Sequence, residues 1–258
     1  MKLLLSARTL GRLALLGAIS LFMPLVYATG AAADAAVTSY RMAKYSFQVA
    51  PENNSNPVTV ELAYPVFLGG DSASTSRLNG WLRRTALKPF FMDDEEGLSR
   101  ALQLTDRKLI ESLASKGREN MTQSVLRPDA ASGNIMTFTL NVESLGIARS
   151  HQGIAVYAYD IRSQGGVTVQ SLFRPSAEEV LAEYFLEEIQ KEAPGCQAID
   201  FSWDHVTLRG PSEASLYFSF NPAQQECGDL GYLKGKKVRD LLKLPSLLLP
   251  IRKLKEVI

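Results

Sequence analysis

Lys2, Arg8 and Arg12 stand ahead of an apolar run from Leu13 to Val26, and the small residues Ala28, Gly30, Ala31, Ala32 and Ala33 follow it. A positive flank, a short apolar centre and a small-residue exit make a secretory signal peptide. The run falls short of the roughly 20 residues that span a bilayer, and Pro24 breaks it near its end. Cleavage after Ala28 or after Ala33 satisfies the small-x-small rule, so residues 1–33 are assigned to the signal peptide. The alternative is an uncleaved anchor, which would leave residues 1–12 on the cytoplasmic side and no domain there. With no cysteine near the exit, a lipid anchor is not expected. The chain is therefore expected to fold in the periplasm or outside the cell, and that compartment constrains what can hold it together.

In an oxidising space an even number of cysteines favours disulfide pairing. The chain has two, Cys196 and Cys227, and they are read as one bridge. Closing a loop of roughly 30 residues stabilises a fold by about 3–4 kcal/mol in the chain-entropy model. A zinc site would need both cysteines to converge with both histidines, His151 and His205. One ligand per distant segment is not zinc spacing, so no metal is expected. The formal net charge is +1. It offers no basic field for nucleic acid, and no nucleic-acid recognition motif is present.

The remaining chain reads as α+β, with mixed or antiparallel sheets packed against helices in two lobes. The N-terminal lobe is placed at 37–120 and the C-terminal lobe at 121–243, followed by a tail over 244–258. Tyr45, Phe47 and Val49 alternate within a strand over 40–49, and Val58, Val60 and Leu62 alternate in a second that ends at Tyr64-Pro65. Ser74 or Thr75 is the expected cap of a helix running to Lys88, with Leu78, Trp81, Leu82 and Thr85 on one face. The run Asp93-Asp94-Glu95-Glu96 lacks the alternating ligands of a calcium loop and is read as a solvated helix start. One or two amphipathic helices follow over 98–116, closed by Gly117.

From Val125 the pattern turns to strands, over 135–142 and 153–161, with a hairpin turn at Ser163-Gln164-Gly165-Gly166 that Val167-Thr168-Val169 continues. Ser176 is the expected cap of a helix over 177–192. Strands over 201–208, with His205 inside, and over 216–220 flank a turn at 209–212, and a short helix over 236–243 closes the lobe. The tail mixes Leu247, Leu248, Leu249, Ile251, Leu254, Val257 and Ile258 with Arg252, Lys253 and Lys255. It is read as a packed end, because Pro245 and Pro250 bar a long helix. The alternative is contact with a membrane surface.

Two groups of motifs carry a resemblance. Ala63-Tyr64-Pro65 followed by Leu78-Asn79 matches a Tyr-Pro…Leu-Asn signature, and Gly165-Gly166-Val167-Thr168-Val169-Gln170-Ser171-Leu172-Phe173 matches a second segment. Stretches 203–208 and 216–220 match the closing strands. Over roughly residues 40–243 the chain resembles the extracellular domain shared by the lysozyme-sensing anti-sigma factor RsiV and the non-catalytic part of the peptidoglycan deacetylase PdaC. It departs from that pattern at 148–153, where only His151 and Gly153 persist from a Gly-Gly-Ala-His segment, and at Gly235-Lys236-Lys237, where the family has Pro-Tyr. Family members that bind lysozyme do so with surface loops, and no deacetylase domain is present.

The resemblance implies an exported, non-enzymatic binding protein of the bacterial envelope. Its partner would be a lysozyme-like or other peptidoglycan-active hydrolase, or a cell-wall fragment, and it would act as an inhibitor or immunity protein. The candidate binding residues are Arg149, Ser150, His151 and Gln152, a polar loop. No catalytic residue is assigned, and no cofactor is expected. There is no Gly-x-Ser-x-Gly elbow, phosphate loop or dinucleotide fingerprint. Two alternatives stand beside this reading: an envelope hydrolase using His151 with a carboxylate, and a structural envelope factor whose tail meets membrane.

Overall fold

The computed structural model describes residues 39–50, 57–92, 94–118, 121–145, 150–212, 215–243 and 254–257. The signal segment, Asp93, Arg149 and the stretch 244–253 lie outside them. The α+β class holds: a seven-stranded mixed sheet and a three-stranded sheet combine with five α-helices among the described residues.

The large sheet begins with β1 (Ser39–Val49) antiparallel to β2 (Val58–Leu68). Three helices then intervene: α1 (Ser72–Leu87), α2 (Glu95–Ala101) and α3 (Asp106–Arg118). They form the crossover that a parallel pair requires, because the next strand, β3 (Met121–Ser132), lies parallel to β2 at Glu61–Ala63. β4 (Ile135–Leu145), β5 (Ser150–Asp160) and the short β6 (Gly165–Val167) continue as an antiparallel meander. The helices α4 (Val169–Leu172) and α5 (Glu178–Ile189) lead to a separate antiparallel sheet of β7 (Val206–Ser212), β8 (Ser215–Phe220) and β9 (Gly231–Lys234). The chain returns to the first sheet as β10 (Lys255–Glu256), parallel to β1 at Ser39–Tyr40.

Two hydrophobic cores result. The first seats Leu78 and Leu82 of α1, Leu98 of α2, and Leu109 and Leu113 of α3 on Leu62, Phe67, Leu126 and Phe138 of the sheet. It draws on residues from both sides of position 120. The second packs Leu181, Phe185 and Ile189 of α5 on Phe218, Phe220 and Leu233 of the small sheet. The two meet at β4 and β5. Ile135 and Ala158 belong to the second core, while their chain neighbours Met136 and Tyr159 belong to the first. Successive side chains of a strand point to opposite faces, so one pair of strands serves both cores.

Several local details differ from the sequence reading. β2 continues past Pro65 to Leu68. β3 pairs with β2 only as far as Ala63, so Pro65 sits where one side of the strand has no ladder to lose an N–H from. Asp71, not Ser74 or Thr75, caps α1, accepting from the Ser74 N–H at 2.8 Å. Asp94 caps α2 in the same way through the Gly97 N–H, and Glu95 and Glu96 pair with Arg84 and Arg100, which accounts for the acidic run. Two α-helices, α2 and α3, occupy the stretch read as amphipathic, and α3 runs one residue past Gly117.

Val169 opens α4 rather than extending a strand. Folding the chain back there buries Leu172 in the second core. Ser176 does not cap α5: Ala177 holds that position without a side-chain bond, and Glu178 and Glu179 supply negative charge to the first turn. His205 lies in a 3-10 turn, Trp203–His205, with β7 starting after it at Val206. Residues 236–243 form turns and a 3-10 segment, Arg239–Leu241, instead of a helix. At the C-terminal end Leu254 packs against the first core, and the Val257 N–H donates to the Tyr40 carbonyl. No described helix is long and apolar enough to cross a membrane.

Candidate functional site

Two devices tie the large sheet to α1. The first is the Asn79 amide on α1. Its Oδ1 accepts from the Phe67 N–H at 2.8 Å and its Nδ2 donates to the Phe67 carbonyl at 3.0 Å. A side-chain amide thus replaces the neighbouring strand that β2 lacks beyond Ala63. This explains why a Leu-Asn pair follows Tyr-Pro: Leu78 enters the core and Asn79 ties the same helix to the strand. Asn79→Ala strands both backbone groups of Phe67. It is expected to lower unfolding free energy by about 1–3 kcal/mol, read from the midpoint of urea denaturation.

The second device is the β5–β6 turn. Gln164, at φ 56°, donates to Ser74 Oγ at 2.7 Å and accepts from Arg77, locking the turn to α1. Gly166 lies beneath Trp81, and a Cβ there would stand 2.7 Å from the indole nitrogen. Gly166, but not Gly165, is therefore needed for close approach of this ring. Trp81 in turn packs against Phe138 and Tyr159.

The candidate residues lie at the opposite end of β4 and β5. The register pairs Leu145 with Ser150, Ser144 with His151 and Glu143 with Gln152. Ser150 and His151 are thus the first two residues of β5, and Gln152 beside them is exposed. Three of the four candidate binding residues therefore share one strand at the hairpin end. Arg149 precedes them outside the described residues.

β6 pairs with β5 only at Ala158–Asp160. From Ser150 to Tyr157 the outer edge of β5 has no strand partner among the described residues. Beside this edge opens a groove of about 460 Å³, walled by Pro89, Met92, Leu140, Val142, Ile154 and Tyr157. Met92 is 69% exposed and Ile154 67% exposed, the two most exposed of the large apolar side chains described. Burial pushes the Tyr157 phenol above its ordinary pKa, so it stays neutral through the physiological range. Lys88 is the one charged residue on the wall. The surface is thus apolar, with free backbone donors and acceptors along one margin. Such an edge takes up an extended segment of another chain by main-chain hydrogen bonding, while an adjoining pocket selects its side chains.

Met92 and Ile154 were not singled out from the sequence. Ile154 continues the alternation of Val156 and Ala158, which marks a buried position, but the second core stops short of it. Cys196 and Cys227 are bonded to each other, and both are buried in the second core. The bridge is consistent with export into an oxidising space. His205 Nδ1 is buried without a hydrogen-bond partner among the described residues, and its ring lies against Phe220 at 6.1 Å between centroids. No group of three or more His, Cys, Asp or Glu among the described residues is placed to hold a metal ion.

No protein-family model matches the chain, and no curated protein matches it. Its structural neighbours are DUF3298 family proteins. One, from Bacteroides fragilis, is 10% identical and aligns over 81% of this chain and 95% of its own, with a TM-score of 0.45. Another, from Pseudomonas aeruginosa, is 13% identical and aligns over 81% of this chain and 97% of its own, with a TM-score of 0.44.

Proposed function

We propose that this chain is an exported, non-enzymatic binding protein of the bacterial envelope that captures a lysozyme-like cell-wall hydrolase and inhibits it. The observation that carries the reading is the open β5 edge with its apolar groove, on the strand that begins with Ser150, His151 and Gln152. An exposed apolar patch next to unpaired backbone groups fits a protein partner. The export signal puts such a partner in the envelope. The resemblance to the extracellular domain of RsiV and PdaC supplies the hydrolase class.

The test is capture of a panel of muralytic enzymes by the mature protein, with a turbidity assay of cell-wall lysis alongside. Wild type should retain at least one enzyme and slow lysis. Met92→Asp places a charge in the groove at an exposed position, so folding should survive and capture should weaken at least tenfold. Retention of no muralytic enzyme overturns the proposal, and so does unchanged capture by Met92→Asp. Loss of a hydrolytic activity on His151→Ala would overturn it in favour of catalysis.

A further inference from the structure

At the Ile135–Asp160 end of β4 and β5, with no lining residue in common with the groove, two adjoining cavities of about 470 and 330 Å³ share Ser171 and Lys243. Together they form a trough where the large sheet hands over to the second core. Its floor is the Gly166–Phe173 stretch, and its outer wall carries Arg174, Glu178 and Trp203. None of these residues takes part in the surface proposed to bind a hydrolase.

The charges of this trough are arranged unequally. Its carboxylates are engaged by their own neighbours. Asp160 accepts from the Arg162 N–H at 2.8 Å and from Ser163 Oγ at 3.0 Å, and Glu178 accepts from Trp203 Nε1 at 2.6 Å. Its cations are not: neither Arg174 nor Lys243 has an ion-pair partner among the described residues. The backbone sets them side by side. Phe173 and Leu242 form an antiparallel bridge, flanked by Arg174 N–H to Leu241 carbonyl at 2.8 Å and Lys243 N–H to Leu172 carbonyl at 2.9 Å. Phe173 and Leu242 are buried, whereas Arg174 and Lys243 beside them are both exposed. As diagonal neighbours across the bridge they stand roughly 7 Å apart.

The third element is Trp203. Its ring packs against Phe173 at 5.5 Å and Phe201 at 5.3 Å, and its N–H is tied to Glu178, so the indole is fixed where it lines the trough. A fixed indole offers an apolar plane for the C–H face of a sugar ring. A guanidinium beside an ammonium is a carboxylate receptor. We infer that the trough is a binding site for a carboxylate-bearing saccharide, with Trp203 under the sugar ring and Arg174 and Lys243 on the carboxylate.

Sugars of this chemistry come from two sources, the lactyl-ether hexosamine of cell-wall glycan and the uronates of acidic polysaccharides. Titration followed by NMR or calorimetry separates them, using the disaccharide N-acetylglucosaminyl-N-acetylmuramic acid, an oligouronate, and chitobiose as the neutral control. At least one carboxylated sugar should bind, chitobiose at least tenfold more weakly, and added salt should weaken the former alone. Arg174→Ala with Lys243→Ala, both exposed positions, should cost the carboxylated sugar at least tenfold while the melting temperature holds. Equal binding of chitobiose overturns the inference. So does the absence of binding by both carboxylated sugars at millimolar concentration, or an unchanged affinity in the double variant. No hydrolase is present in this titration, so its outcome is separate from that of the capture assay.

Discussion

Phe138→Ala is expected to lower the unfolding free energy by about 3–5 kcal/mol, the range for removing a buried aromatic ring. Phe138 is fully buried in β4, with its ring 6.2 Å from Phe67, edge-on, and 5.7 Å from Trp81. These neighbours cannot close on the vacated space easily. Phe67 is held through its backbone by Asn79, and Trp81 is pressed on Gly166. Domains hold only about 5–15 kcal/mol of net stability, so this single change should leave the protein near its unfolding threshold at 37 °C. Phe138→Leu, which conserves most of the volume, should cost well under half as much. Urea denaturation of both variants checks the expectation. A loss under about 1 kcal/mol for the alanine variant would mean that the ring is not packed as described.

Cys196→Ser combined with Cys227→Ser should cost a further quantity of the same order, about 3–4 kcal/mol, by restoring freedom to the unfolded chain. The bridge spans a sequence separation of 31 residues and joins the turn after α5 to the 3-10 segment before β9. The bridged stretch from Cys196 to Cys227 contains β7 and β8, so the bridge closes a loop that carries two of the three strands of the small sheet. Both cysteines are buried, and a reductant should therefore act slowly on the native protein and readily once unfolding begins. The measurement is the melting temperature of wild type with and without reductant after a denaturing cycle, set beside that of the double variant. Agreement of reduced wild type with the variant is expected, and a melting temperature unmoved in both would show that the bridge contributes nothing.

How far the sequence is informative differs between elements. The strands over 40–49 and 153–161 were legible from alternation, because each has one or both faces in a core. So was the body of the helix running to Lys88, from its Leu78, Trp81, Leu82 and Thr85 stripe, though not its start. The cap positions were less so: Asp71 and Ser74 are both ordinary cap residues, and only the turn at Gly69-Gly70 sets which of them precedes the first helical residue. The strand assigned over 201–208 failed at its start because alternation in Phe201 and Trp203 comes from ring packing against Phe173, Phe185 and Phe220, not from a ladder. β9 was missed because four residues are too few for a period to show.

The candidate site divides along the same line. Ser150, His151 and Gln152 were reached as a polar stretch before a strand, and that is where they lie. The groove beside them was not reachable, since Met92 and Ile154 look like any other apolar residues until the packing around them is known. By itself the sequence determined what depends on neighbours in the chain, the alternation of β1 and β5 and the α+β class, and its even cysteine count pointed to the one bridge that the structure contains. Tertiary structure alone decided what depends on distant segments meeting. It set the parallel join of β2 to β3, the two cores sharing β4 and β5, and the placing of Arg174 beside Lys243. It also decided which apolar side chains stay uncovered. Local preference acts over a few residues and is written in their order, whereas an open edge or a trough exists only by what the rest of the chain leaves uncovered.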